Sequence, residues 1–364
     1  MAAKVLKPVT PQPGRPLYLA ARDAVREAID AGVYQPGEQM PSTKQLSEQL
    51  SVSLVTAHRA LQELVSSGVL QRSQGRGTFV QPRYYERRRT PVDTRIGLIF
   101  QGELTLADFY HSQVLEGVRQ AAHQLAIDLI VLRFGEDIRN ECNGYLYINP
   151  LIEEIEAMAA EARRRQPVVA VGVRHESKRI SSIDVDNIDL SRQAVQHLHG
   201  LGHRRIAYVG GNDHFSNGRD RWSGFVAACE ELKLEHRPDD VVRAQAWHLD
   251  EKERMALMRA FSADDRPSAV FAAGYHFALD TYGVATSAGL RVPEDLSIVG
   301  VDDPPSAAHL SPALTTLRQP LIQLGHSAVT TLYEQIQSAS HDAVSRTLWA
   351  ELITRRSTQR PAGS

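Results

Sequence analysis

Cysteine is nearly absent from this sequence. Its 364 residues include only Cys142 and Cys229, too few for a disulfide framework, and no group of Cys and His has the spacing of a zinc site. Long apolar runs are missing too. No stretch of 18 apolar residues offers a membrane span, and the opening MAAKVLKPVTPQPGRP has no apolar core of signal-peptide length. These absences predict a cytoplasmic protein with no membrane partner. Catalytic signatures are also lacking. None of the 14 histidines stands in HExxH, and neither a GxSxG elbow nor a GxxxxGK(S/T) phosphate loop occurs. No catalytic residue, metal or cofactor is therefore assigned, and no enzyme is expected.

An excess of one charge is missing overall, since the net is −2. The distribution along the chain is more informative. Residues 1–90 hold 13 Lys and Arg against 7 Asp and Glu, a net of +6, while the remaining 274 hold 28 against 36, a net of −8. A basic first quarter joined to an acidic remainder is the asymmetry of a small domain that meets a polyanion. With 42% hydrophobic and 23% charged residues the chain is globular. Its length exceeds one core and predicts two to three folding units.

Residues 1–16, with Pro8, Pro11, Pro13 and Pro16, read as a flexible arm. Residues 17–80 read as three helices and a hairpin. Leu17, Ala20, Ala21, Ala24, Val25, Ala28 and Ile29 recur at helical spacing, and Gly32 closes that helix. A turn follows at 34–38. Ser42 and Ser53 are natural caps for two more helices, with Leu46, Leu50 and Val52 turned inward in the first. Val55, Ala57, Ala60, Leu61, Leu64 and Val65 form the apolar stripe of the second, which ends at Gly68. Two short strands at 69–72 and 78–80 flank Gln74-Gly75-Arg76-Gly77. The sum is a winged helix-turn-helix. Residues 81–95, with five arginines and two prolines, read as a linker.

From residue 96 onward, apolar strands at 96–100, 129–132, 144–148, 168–171, 206–210, 269–272 and 297–300 alternate with helical stretches. Such alternation predicts an α/β module of parallel sheets covered on both faces, long enough for two lobes.

The head resembles the GntR family from Leu17 to Val80, through Pro16-Leu17-Tyr18, Gly32 to Gly37, Pro41-Ser42, Val52-Ser53, Thr56, Ala60-Leu61 and Gly75 to Val80. The resemblance implies binding to double-stranded operator DNA. Ser53, Thr56, His58 and Arg59 would enter the major groove from the third helix, where base edges are readable. Ser42, Thr43 and Lys44, and on the wing Arg72, Arg76, Gly77 and Thr78, would meet the backbone or the minor groove. The plainer alternatives are caps for the two serines and solvated surface for Arg59 and Arg72. Many relatives carry arginine where this chain has Leu54 and His58, so their operators do not transfer.

Residues 95–360 resemble the periplasmic-binding-protein-like effector domain of LacI-type repressors. The resemblance runs through Ile183 to Gly211, Arg221-Trp222-Ser223-Gly224-Phe225, Arg291 to Gly300, Asp302-Asp303 and Leu314 to Leu317. A GntR-type head on a LacI-type body is the arrangement of AraR-type arabinose repressors. It implies lobe one at about 96–185 and 320–340 and lobe two at about 186–318 and 341–360, with crossings near 175–190, 300–304 and 318–320. The last stretch, Leu348 to Thr354, would end in lobe two.

The implied ligand contacts are Arg221 and Asp302, with Asn217 four residues before the arginine. Trp247 would be an aromatic platform, Tyr110 and His111 a first-lobe aromatic pair, and Tyr275 a further contact. Trp247 reads equally as a core tryptophan, and Tyr110 as a cap for a helix near Gln113. Where relatives have Asn-Asp and a first-lobe aspartate, this chain has Gly274-Tyr275 and Gly172. Either Arg174, His175, Tyr275 or His276 substitutes, or the effector is not a simple sugar. Only about ten residues separate Phe134 from Gly144, where relatives fit a helix, which bears on the expected homodimer.

The expectation is a ligand-responsive transcription regulator, a repressor of carbohydrate uptake or catabolism genes that senses a sugar or sugar derivative. A non-sugar effector such as a nucleoside, or no effector, is the first alternative. The second is a binding protein or enzyme with a nucleic-acid tether. As an enzyme it would use Asp302-Asp303 as its carboxylate pair.

Overall fold

The computed structural model describes residues 6, 8, 9, 16–30, 32–73, 76–82, 94–100, 108–133, 142–162, 166–235, 237–338 and 342–361. The chain divides into two compact units, Met1–Asp93 and Thr94–Ser364. In the first, helix α1 (Leu17–Asp30) buries Ala21, Val25 and Ile29, spaced four apart on one stripe. Helix α2 (Thr43–Leu50) starts at Ser42, whose Oγ accepts from the Gln45 amide while the Gln45 side chain accepts from the Ser42 amide. This box satisfies two backbone donors that a helix start leaves without partners. Helix α3 (Leu54–Ser66) starts likewise at Ser53, whose Oγ accepts from the Thr56 amide at 3.1 Å. Strands β1 (Leu70–Ser73) and β2 (Gly77–Val80) pair antiparallel as the wing, and Gln39 bridges to Phe79.

Three expectations for this unit change. Val55, placed on the buried stripe of α3, is 78% exposed. It precedes Ala57 by two residues, about 200° around a helix of 3.6 residues per turn, and Ala57 belongs to the buried face with Ala60, Leu61 and Leu64. The arm is tied to the domain: Leu6 is buried in its core and the Val9 amide donates to the Leu50 carbonyl. Those two apolar residues give the segment something to bury. The linker is shorter than 81–95, since the Gln81 amide donates to Val69 and Arg95 opens a strand of the second unit. Residues 1–5, 7 and 10–15 of the arm, Gln74, Gly75 and 83–93 lie outside the described residues, as does 134–141 in the short segment after Arg133.

The second unit has two lobes. In the first, β3 (Arg95–Phe100), β4 (Asp128–Arg133), β5 (Gly144–Ile148), β6 (Val168–Val171), β7 (Ser181–Val185) and β13 (Ser345–Leu348) form a parallel sheet in the order β13-β7-β6-β5-β3-β4. Its inner strands GYLYI and VVAV are buried throughout because both faces are covered. Helix α4 (Phe109–Leu125) and helix α10 (Leu321–Ser338) pack together so closely that a Cβ on Gly117 would lie 1.9 Å from the Ile322 carbonyl oxygen. Helix α5 (Ile155–Ala162) packs against β6.

In lobe two, β8 (Ile206–Gly211), β9 (Val241–Ala244), β10 (Ala269–Ala272), β11 (Ser297–Val301), β12 (Thr315–Arg318) and β14 (Glu351–Ile353) run in the order β14-β12-β11-β10-β8-β9, parallel except for β14. Helices α6 (Asn187–Gly200), α7 (Ser216–Glu231), α8 (Glu251–Ser262) and α9 (Tyr275–Ser287) cover it.

The chain passes between lobes at Asp186, at Gln319-Pro320 and at Trp349-Ala350. The expected passage at 300–304 is not one. After β11 the chain stays in lobe two, where Ala307 and Leu314 join the core and Thr315 pairs beside Val299. Residues 345–348, expected in lobe two, extend the first sheet beside β7, with Ser345 opposite Ser182. No helix of the described residues is long and apolar enough to cross a membrane.

Candidate functional site

A cavity of about 300 Å³ lies between the lobes, at the small end of the roughly 300–1,000 Å³ usual for ligand pockets. It sits past the carboxyl ends of the strands: Asn149 follows β5, Gly274 follows β10 and Asp302 follows β11. Open parallel sheets bind ligands in the crevice outside the carboxyl ends of their strands. Every residue expected at the effector lines it: Tyr110 and His111 from lobe one, and Asn217, Arg221, Trp247, Tyr275 and Asp302 from lobe two.

Arg221 is 4% exposed, on the buried face of α7. Its Nε donates to Asn187 Oδ1 at 2.8 Å and its Nη1 to the Ala273 carbonyl at 2.9 Å. Asn187 is fixed in turn by donating to the Val185 carbonyl at 3.1 Å. The guanidinium is therefore oriented before any ligand arrives, and a planar fork held this way suits paired oxygens. Asp302 has a left-handed backbone, φ 71°, held by its amide bond to the Leu317 carbonyl and by Thr316 Oγ1 donating to its own carbonyl. Its Oδ1 accepts from Gln319 Nε2 at 2.6 Å. Burial pushes this carboxyl above its ordinary range, with Arg221 and the Gln319 bond pulling the other way.

Trp247 is neither core nor free surface. It is 38% exposed, with its ring 5.2 Å from Phe215 and 6.5 Å from Phe277. In lobe one, Tyr110 lies edge-on to His111 at 5.2 Å. Helix α4 begins at Phe109, so its cap is Asp108, whose carboxylate accepts from the His111 amide at 2.8 Å and meets the ring Nδ1 at 2.5 Å. Burial alone would raise the Asp108 carboxyl, but those hydrogen bonds outweigh it and hold it below its ordinary value. Gly172, where the resemblance led us to look for an aspartate, has φ 73°, and a Cβ there would lie 2.1 Å from the Tyr110 hydroxyl oxygen. The tyrosine fills the space such a side chain would need.

Of the four candidate substitutes, Tyr275 and His276 line the cavity and Arg174 and His175 do not. Tyr275 donates to Ser306 Oγ at 2.6 Å. The His276 ring lies 4.4 Å from that of His248, and burial, helped by His248, lowers its pKa. Arg174 instead joins the lobes at the rim: its amide donates to Ser216 Oγ and its Nε pairs with Asp220 at 2.9 Å. Sequence reasoning missed Asp108, Asn149, His248 and Gln319. A cap signal stands at Asp108, ahead of an apolar helix, and Asn149-Pro150 ends an apolar strand, but nothing marks Gln319 or His248.

In the first unit, the expected DNA contacts occupy the starts of α2 and α3 and the wing. Ser42, Lys44, Ser53, His58, Arg59, Arg72, Arg76 and Gly77 are exposed, and Thr43, Thr56 and Thr78 are half-buried. Gln39 Nε2 donates to the Arg76 carbonyl at 2.9 Å and braces the wing. Arg59 is not simply solvated: its guanidinium lies 4.0 Å over the Tyr18 ring.

Both units have known counterparts. Residues 17–80 match the gntR family of bacterial regulatory proteins, and residues 195–358 match a periplasmic binding protein-like domain. The chain is 27% identical over 367 residues to the arabinose metabolism transcriptional repressor of Geobacillus stearothermophilus, covering 94% of this chain and 98% of that protein. It is 28% identical to the repressor CytR of Escherichia coli K12 over 233 residues, 64% of this chain and 65% of that one. With the repressor PurR of Serratia proteamaculans it shares 35% over 164 residues, 45% of this chain and 48% of that one. Among solved structures, a LacI family regulator from Mycobacterium smegmatis superposes with a TM-score of 0.64 at 26% identity, over 73% of this chain and 100% of that one. The regulator CelR in complex with cellobiose has the same fold, with a TM-score of 0.64 at 23% identity over 87% and 100% of the two chains.

Proposed function

We propose that this chain, a gntR-family DNA-binding domain joined to a LacI-like, periplasmic-binding-protein-like domain, is a transcription repressor whose grip on its operator is set by a small molecule bound between two lobes. The observation that carries the reading is that pre-oriented Arg221 and Asp302 line one cavity, on a chain whose head is a winged helix. A guanidinium donates to adjacent hydroxyls and a carboxylate accepts from them, so a neutral polyhydroxylated compound, a sugar or sugar derivative, fits. The named relatives, which repress arabinose metabolism in one case, support a regulator rather than an enzyme.

Two heads on a cytoplasmic homodimer would meet the halves of a pseudo-palindromic operator. The effector would change how the lobes close, and through the dimer the spacing of the heads. A coupling of ~1–3 kcal/mol changes operator affinity roughly 5- to 150-fold. The second reading, a nucleoside effector, draws on the aromatic group around Trp247, which offers a face for a base.

The test joins a mobility shift of the full chain on DNA upstream of its own gene to a thermal-shift screen of pentoses, hexoses, sugar acids and nucleosides. A retarded complex released by the compound that stabilises the protein supports the reading. No retardation at low salt sinks it, and a nucleoside hit selects the second reading.

A further inference from the structure

Two large apolar side chains on α3 stand outside the buried core of the first unit. Leu54 is 54% and Val55 78% exposed, and they are the only sequence neighbours among the large exposed hydrophobics of the described residues. They occupy the first turn after the cap Ser53. The polar groups there are engaged with one another: Ser53 Oγ accepts from the Thr56 amide and shares a 2.8 Å hydrogen bond with Thr56 Oγ1. Arg59 is drawn over Tyr18. What α3 turns outward at its start is therefore Leu54, Val55 and, three to four residues on, His58, all on one helical face. The opposite face, from Ala57 to Leu64, is core.

We propose that Leu54 and Val55 read operator sequence by packing against thymine C5 methyl groups in the major groove. The inference rests on the repressor reading and names base contacts for it. The thymine methyl is the apolar feature of the major-groove edges and marks that base alone. The other edges present polar atoms that Leu or Val would strip of water without replacing the hydrogen bonds. Charge selects the occupant as well: the first 90 residues carry 13 basic against 7 acidic residues, and Lys44, Arg72 and Arg76 are exposed around the helix and wing. A polyanion matches that frame better than a second protein surface does. Val55 was hidden from sequence reasoning because it was counted into the core stripe.

Uracil in place of thymine deletes the methyl and nothing else, which gives a direct test. The full chain first selects operator duplexes from a random pool. Each thymine is then replaced singly by uracil, and affinity is read by fluorescence anisotropy at fixed salt. At one or more thymines per half-site, uracil should weaken the wild-type protein about fourfold, the scale of burying one methyl group. The variant carrying Leu54→Ala and Val55→Ala should bind thymine and uracil duplexes alike, with unchanged melting temperature and unchanged low-salt affinity for random DNA. Wild-type indifference to uracil at every position overturns the proposal. So does a change in the variant's oligomeric state by sedimentation, which would assign the patch to a protein partner. Failure to enrich any duplex overturns the repressor reading itself, and this inference with it.

Discussion

Gln319 Nε2 donates to Asp302 Oδ1 across 2.6 Å. Asp302 follows β11 at the cavity, and Gln319 lies on a passage between the lobes. The bond therefore ties a proposed effector contact to a segment about which the lobes would move. Gln319→Ala leaves the carboxylate short of a partner, at a cost of about 1–3 kcal/mol to the second unit. Coupling should suffer more than binding: the effector still stabilises the variant but shifts operator affinity less. Urea denaturation and operator titrations with and without effector read both quantities, and an unaltered coupling refutes the tie.

Arg221→Lys keeps the charge and loses the fork. The lysine cannot reach Asn187 Oδ1 and the Ala273 carbonyl together and still present a planar pair of donors. Effector affinity should fall roughly 10- to 150-fold, the value of about 1.5–3 kcal/mol for a charged hydrogen-bonding group. Operator affinity without effector should stay as in the wild type. Calorimetric titration with the hit from the screen decides, and equal affinity would remove Arg221 from the site.

The head was legible because its signals are local. Ser42 and Ser53 are caps whose partners stand three residues away, and the winged helix follows from them. Val55 fooled the pattern because apolar residues two apart cannot share a helical face, a point that composition hides. In the second unit, the buried strands GYLYI and VVAV announce themselves, whereas β13, with the sequence SRTL, is a polar edge strand that only the pairing with β7 explains. The cleft was half legible. Arg221 and Asp302 stood in motifs, but Gln319 reaches the cavity from a passage between the lobes, and His248 from a loop, that no short-range spacing encodes.

Tyr18 holds Arg59 through a cation–π contact at 4.0 Å. In Tyr18→Leu the guanidinium is released, and the first unit loses ~0.5–1 kcal/mol, the value of such a contact at an exposed site. If Arg59 meets DNA in the orientation the ring imposes, operator affinity drops as well, while low-salt binding to random duplexes changes little. Chemical denaturation and anisotropy separate the two effects. A variant with wild-type stability would show that the ring contributes nothing.

Asp184 lies just ahead of the first passage, 7% exposed. Its Oδ1 accepts from the Val185 amide at 2.7 Å and its Oδ2 from Asn187 Nδ2 at 3.4 Å. Burial pushes its carboxyl from 3.8 up to about 7, against the downward pull of the Val185 bond and Arg221. The folded protein thus holds this proton more tightly than the unfolded chain. Its contribution to stability is complete below the unfolded value and is lost as pH rises through the folded one. Asp184→Asn has no such proton. From near pH 3.8 up to about 7, the wild type should lose stability relative to the variant by up to about 1.4 kcal/mol per pH unit. Buried His203, bonded to Ser268 Oγ and the Gln359 carbonyl, has its pKa lowered by burial and acts in the opposite sense, destabilising as pH falls. It is common to both proteins, so it cancels in the difference. Denaturation curves of the pair across this range supply that difference, and a flat line would mean that Asp184 is ionised in the folded state throughout.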